Sequence, residues 1–396
     1  MTPPDERSAR LIQTRNLKMA RSPHAYVRGS TVKFYEWLEG HAGKIPEGPP
    51  VWICGDCHMS NLGPLADAKG RVAVQIRDLD QTVIGNPAHD LIRLGLSLAS
   101  AARGSNLPGV TTARVLEALV AGYEAALMGE FEQEYDGERR PKQIGSLLDR
   151  SVKRRWRHLA QERLETEKPV VPLGKKFWPL GEEERAALGA LFDQEAVHAM
   201  VTDLQGRSKG DKVKLVDAAY WVKGCSSLGR LRYAAMLQVG TGKDSSLCLV
   251  DVKEAAAAAA PRAQDVSMPR DNAVRVVTGA QALSPHLGHR MLAARLLDRA
   301  VVLRELMPQD LKIEVDRLTQ EEATTLAGYL AGVVGRAHGR QMDSATRDSW
   351  LTQLGKARPG ALDAPSWLWA SVVDLLSIHE AAYLDHCRRF VLSSAA

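Results

Sequence analysis

A short apolar run that empties into a polar loop of Asp, His and Asn leaves few folds open to a chain. Val51-Trp52-Ile53-Cys54 reads as a buried strand, and it feeds the loop Gly55 to Gly63, which carries Asp56, His58 and Asn61. A second strand, Arg71 to Ile76, runs into Arg77-Asp78-Leu79-Asp80. Asp and Asn serve loops and turns in any fold. Asp56, Asn61 and Asp78 are the candidate functional residues of these two strand ends.

The rest of the chain is organised around helices. Ser30 to Leu38, Asp90 to Ala102 and roughly Thr111 to Glu134 show helical periodicity, and Pro141 to Gly210 is charged and largely helical. Its basic segment, Lys153 to Arg157, reads as a solvated helix face. From Leu215 the composition turns β-like. Tyr233 to Val239 and Leu247 to Val252 pair as a hairpin across Gly240-Thr241-Gly242, and Ala300 to Leu306 adds a further strand. Ala255 to Ala260 reads as helix, and helices resume at Glu321, most clearly over Tyr329 to His338.

Composition excludes several classes. The 52 basic and 47 acidic residues leave a formal charge of +5, far from a nucleic-acid-binding balance. No run approaches the ~18 apolar residues of a spanning helix, so no membrane partner is expected. Met1 to Asn16 is polar and lacks the apolar stretch of a signal peptide. Five cysteines form no disulfide framework, and a reducing cytoplasm is the expected compartment. Cys54-Gly55-Asp56-Cys57-His58 matches a haem-attachment pattern, but with no export signal no haem is expected, and zinc lacks two further clustered ligands.

A second glycine-bounded loop, Gly224 to Gly229, lacks the Lys-Ser/Thr ending of a Walker loop. Its backbone amides, with the hydroxyls of Ser226 and Ser227, suit phosphate oxygens, and Lys253 ends the strand that follows the hairpin. Gly224, Ser226, Ser227, Gly229 and Lys253 are thus the candidate phosphate binders. Arg28, His58 and Asp80 are further candidates for contact with substrate or phosphate. Their structural alternatives are an ion pair, loop packing and turn chemistry.

These motifs resemble the kinase-like folds, and among them the aminoglycoside phosphotransferase and choline kinase branch. Gly55-Asp56-x-His58-x-x-Asn61 has that branch's catalytic wording, Asp78 stands where it holds magnesium, and Gly85-Asn86-Pro87-Ala88-His89-Asp90-Leu91 matches its next motif. The resemblance implies that Asp56 is the catalytic base, accepting the proton of an incoming hydroxyl, and that Asn61 and Asp78 are the magnesium ligands. There Asp90 is expected to buttress the loop by accepting backbone hydrogen bonds. Ser22 to Gly29, Gly55 to Gly63, Arg77 to Asp80, Lys253 to Ala255 and Arg275 to Gly279 also resemble the bacterial family called domain of unknown function 2252. Kinases pair the strand lysine with a glutamate on the next helix, but Asp271 to Leu283 contains none, leaving the partner of Lys253 open.

The resemblance implies an α+β fold of two lobes, mostly helical with a small antiparallel β-rich lobe. The catalytic loop here precedes the glycine loop and lysine, an order that amounts to circular permutation. Expected boundaries are a helical lobe over 1–204 and 321–396 around a nucleotide-binding lobe over 205–320. The implied function is ATP- and magnesium-dependent transfer of the γ-phosphate to a hydroxyl of a small molecule or protein, with Glu305 and Met307 in the adenine hinge. AMP transfer on the same fold and a nucleotide-binding pseudokinase are the alternatives.

Overall fold

The computed structural model describes residues 4–135, 140–204, 206–225, 227–242, 245–313, 318–356 and 364–391. Helices account for 52% and strands for 15%, and every ladder between strands is antiparallel, which makes the fold α+β. The two strands read around the polar loop are present as β1 (Val51–Ile53) and β3 (Val72–Ile76). Two further strands complete them: β2 (Leu62–Ala66) pairs with β3, and β4 (Val83–Gly85) pairs with β1. The resulting pair of ribbons pinches the loop at both ends, so its residues are held by four strand termini.

The main sheet has six strands: β5 (Phe177–Trp178), β6 (Val213–Trp221), β7 (Arg232–Val239), β8 (Ser246–Glu254), β9 (Met291–Leu296) and β10 (Arg299–Glu305). Their order is β5-β6-β7-β8-β10-β9. The expected hairpin is β7–β8, with Tyr233 opposite Val252. Strand β5 and the helices Glu182–Phe192 and Glu195–Thr202 pack with this sheet from upstream of residue 205.

Helix Asn272–Leu283 lies between β8 and β9 in sequence, and Asp271 caps it by accepting from Ala273 and Val274 amides. The alanine run 255–260 is not helical. Its backbone is used in docking instead: the Ala259 amide donates to Gln81 Oε1 at 2.7 Å and the Ala256 carbonyl accepts from Arg275 at 2.8 Å. Pro261 also disfavours the helical region at the residue before it. Tertiary hydrogen bonds override propensity there.

The N-terminal helix Arg7–Met19 straps the two parts together. Leu11 joins the apolar cluster on the sheet's outer face, while the Asn16 and Ala20 carbonyls accept from His386 and Tyr383 of the C-terminal helix. Buried Arg7 donates to both oxygens of Glu184, at 2.7 and 3.1 Å. Removing one partner of a buried pair strands the other charge, so Arg7→Ala is expected to cost about 3 kcal/mol in urea unfolding. A change under about 0.5 kcal/mol, as for an exposed pair, would show that the strap is not held by this contact. No described helix is long and apolar enough to cross a membrane.

Candidate functional site

The polar loop starts with a backbone constraint. Gly55 has φ +73°, and a Cβ there would lie 2.2 Å from the Gln81 carbonyl, so only glycine fits between the strand end and the 78–82 turn. Behind it, fully buried Asp90 accepts from the Cys54 amide at 2.7 Å and the Gly55 amide at 2.9 Å, the buttressing role expected of it. His338 approaches the same carboxylate at 3.2 Å. Cys54, Cys57 and Asp90 cluster closely enough to resemble a metal site. The Asp90 oxygens are already committed to three donors, however, and the group supplies one ligand fewer than a closed zinc site needs.

Asp56 follows on the cleft side, its side chain 16% exposed. Wholly buried Arg93 donates to it at 3.0 Å and to the Val27 carbonyl at 2.6 Å. Burial raises the Asp56 carboxyl above its ordinary value, and the Arg93 charge opposes that only in part. Arg93 lies on the helix Ala88–Gly104 and was not anticipated from sequence, where it reads as one polar residue in an apolar helix. Asn61 donates its amide to the Asp78 carbonyl at 2.7 Å and to the Asp56 carbonyl at 3.3 Å, which ties the two strand-end loops together.

From the opposite wall, the Lys253 ammonium reaches Asp78 at 3.3 Å and forms an ion pair with Asp80. Desolvation disfavours charge on Asp78, but Lys253, Arg304 and Arg232 outweigh it and hold its carboxyl far below the usual range. Asp80 goes the other way: desolvation and then the Asp78 charge raise it, against the pull of Lys253. The lysine's partner is therefore a carboxylate of the 78–80 turn. The helix Asn272–Leu283 contributes a cation instead, Arg275, which donates to the Asp80, Thr82 and Ala256 carbonyls.

Between the walls lies a cleft of about 460 Å³. Asp56, His58, Asn61, Asp78, Arg28, Gly224, Ser227 and Met307 line it; Gly229 and Glu305 do not, and Lys253 and Asp80 line a smaller adjoining pocket that shares Asp78 with it. Ser226 lies outside the described residues. Gly224 and Gly229 both take left-handed φ, which shapes the loop as a turn, and Lys18 donates to the Gly224 carbonyl at 3.0 Å. Glu305 corrects the reading of a ligand contact: it is buried and clamped by Arg207 at 2.5 and 2.9 Å. Arg28 forms no ion pair among the described residues, and its Nε is buried without a partner. Burial, with the charges of Arg28, Arg93 and His24, holds His58 far below the usual imidazole value, so it is neutral, and its Nδ1 is also unpartnered.

Among the described residues, nine lysines and arginines and three carboxylates line the cleft. The arginines responsible for much of that excess, Arg77, Arg163, Arg232 and Arg304, were not singled out from sequence. They lie far apart in the chain, Arg232 and Arg304 on the sheet, Arg77 after β3 and Arg163 at the end of the helix Trp156–Arg163, and only the fold collects them.

A family model matches residues 7–389; its description is an uncharacterized protein conserved in bacteria (DUF2252). No curated protein and no solved structure matches the chain.

Proposed function

The chain belongs to the DUF2252 family of bacterial proteins, and we propose that it is an ATP- and magnesium-dependent phosphotransferase with a circularly permuted kinase-like fold. The observation that carries this reading is the approach of Lys253 to Asp78 at the edge of the cleft that Asp78 lines with Asp56 and Asn61. The sheet supports it. Its glycine loop joins β6 to β7, the lysine stands on β8, a helix follows, and the chain leaves β10 through residues 306–312. That is the sequence of parts in a kinase nucleotide lobe, here following the catalytic loop.

The donor set suits a hard divalent cation: the Asp78 carboxylate and the Asn61 amide oxygen are both oxygen ligands. Asp78 is kept ionised by its cationic neighbours. When bound, magnesium neutralises charge on the transferring phosphates. The protein's own groups do the rest. Asp56 accepts the acceptor's hydroxyl proton, Arg93 fixes that carboxylate's position, and Lys253 turns from Asp80 to a phosphate oxygen.

The test follows label from γ- and α-labelled ATP, with magnesium and a bacterial small-molecule extract as the source of acceptor. Label from the γ position alone in a product is the expected result. Label from the α position would instead mean AMP transfer. Transfer of neither, with a rise in thermal stability on ATP binding, would mean a nucleotide-binding pseudokinase.

A further inference from the structure

Alternate residues of a strand share a face, and the pairing of β7, β8 and β10 fixes which residues look into the cleft. Arg232 on β7 and Lys253 on β8 are direct partners, as are Asp251 on β8 and Arg304 on β10. A flat base held between Lys253 and the turn at 305–307 would lie on this face, and binding sites for such rings are lined mainly by apolar side chains. The face is already taken. Ala234, Met236 and Leu249 are buried in one apolar cluster with Leu159 of the helix Trp156–Arg163, Leu164 and Leu306. Beside them, Asp251 is 1% exposed and receives two hydrogen bonds from Arg232, at 2.9 and 2.6 Å, with Arg304 at 3.7 Å.

Three backbone groups of the hinge are also engaged. The Glu305 carbonyl accepts from Arg290 at 3.0 Å, the Leu306 amide donates to the Leu249 carbonyl at 2.9 Å, and the Met307 carbonyl accepts from the Asp310 amide at 3.0 Å. The segment read as a solvated face takes part as well, because Arg154 donates to the Pro308 carbonyl at 2.6 Å. Among the described residues, the apolar-lined pocket on this face, between Val276, Leu287, Met291 and Val302 beside Lys253, measures about 30 Å³, room for a water or two and not for a base. The cleft offers cations. Among the described residues, Arg28, Arg77 and Arg163 each keep a buried Nε without a partner, and beside them the neutral, buried His58 keeps an unpartnered Nδ1. Guanidinium groups match phosphate oxygens in charge and geometry.

We propose that the cleft recognises its phosphoryl donor through the phosphate chain alone, so that inorganic tripolyphosphate is a ligand on a par with a nucleoside triphosphate. This rests on the phosphotransferase reading. With tripolyphosphate as donor, the terminal P–O bond breaks and pyrophosphate leaves with the electron pair. The acceptor oxygen forms the new P–O bond as Asp56 takes its proton.

Titration calorimetry with magnesium tests this on the full chain, using ATP, GTP, tripolyphosphate and adenosine. The expected result is that the first three bind within about tenfold of one another, a spread of ~1.4 kcal/mol, and that adenosine does not bind. Arg304→Gln should weaken all three in parallel. Lys223→Gln, elsewhere on the cleft wall, supplies the same readout if Arg304→Gln does not fold. Binding of ATP more than tenfold tighter than tripolyphosphate overturns the inference, because it means the helix Trp156–Arg163 lifts to admit a base. Binding of adenosine, or of none of the four, overturns it too. ATP-selective binding with γ-phosphate transfer leaves the phosphotransferase reading standing. Parallel binding without transfer upholds phosphate-chain recognition and removes that reading.

Discussion

Asp56→Asn is expected to lower γ-phosphate transfer by about a thousandfold, the usual scale for loss of a positioned general base, while magnesium–nucleotide affinity changes only a few-fold. Asparagine keeps an acceptor for Arg93, so the buried guanidinium is not stranded and the loop stays in place. Asp78→Asn should differ in kind, by raising the magnesium concentration needed for half-maximal rate, because it removes charge at a metal ligand. A magnesium titration of the two variants separates the roles. The base also predicts a pH dependence. Burial lifts the Asp56 carboxyl and Arg93 pulls it down, so the acid limb of the rate should lie above that of a free aspartate. Arg93→Gln removes the cation and should move that limb to higher pH. Full turnover in both Asp56→Asn and Asp78→Asn would sink the site assignment.

The reach of the sequence reading follows from how local each signal is. The strand before Gly55, the hairpin β7–β8 and the lysine at the end of β8 are written in contiguous residues, and the structure contains all three. The approach of Lys253 to Asp78 was legible only through the resemblance, since 175 residues separate them. The alanine run failed for the opposite reason: its local propensity is strong, but it yields to hydrogen bonds offered by Gln81 and Arg275. Arg93 and Asp251 stayed hidden because a charged residue in an apolar helix or strand reads as a defect. Their meaning lies in partners at distant positions, Asp56 and Arg232. Strand β9 was missed beside β10, although Leu297 and Asp298 form the tight turn between them with positive φ at both residues. Neither is glycine, the usual mark of such a turn.

Asp90→Ala should be the most damaging single change to stability, at about 3–5 kcal/mol, the range for breaking a buried charged network. The reasoning is a count of donors. Both carboxylate oxygens are buried and accept from the Cys54 and Gly55 amides, and His338 points at the same group. The chain of contacts continues, since His338 Nδ1 meets the Tyr123 hydroxyl at 2.9 Å and Trp350 donates to that hydroxyl at 3.2 Å. Four helices and the catalytic loop thus converge on one carboxylate, and alanine leaves several buried donors without an acceptor. Asp90→Asn retains one acceptor but turns an amide donor towards the other backbone N–H, so an intermediate loss of about 1–3 kcal/mol is expected. Because the members act as a unit, Asp90→Ala and His338→Ala should be strongly non-additive in a double-mutant cycle. A substrate-binding Asp90 would instead lower turnover with urea stability unchanged. That pattern would remove Asp90 from the supporting frame and place it in the reaction.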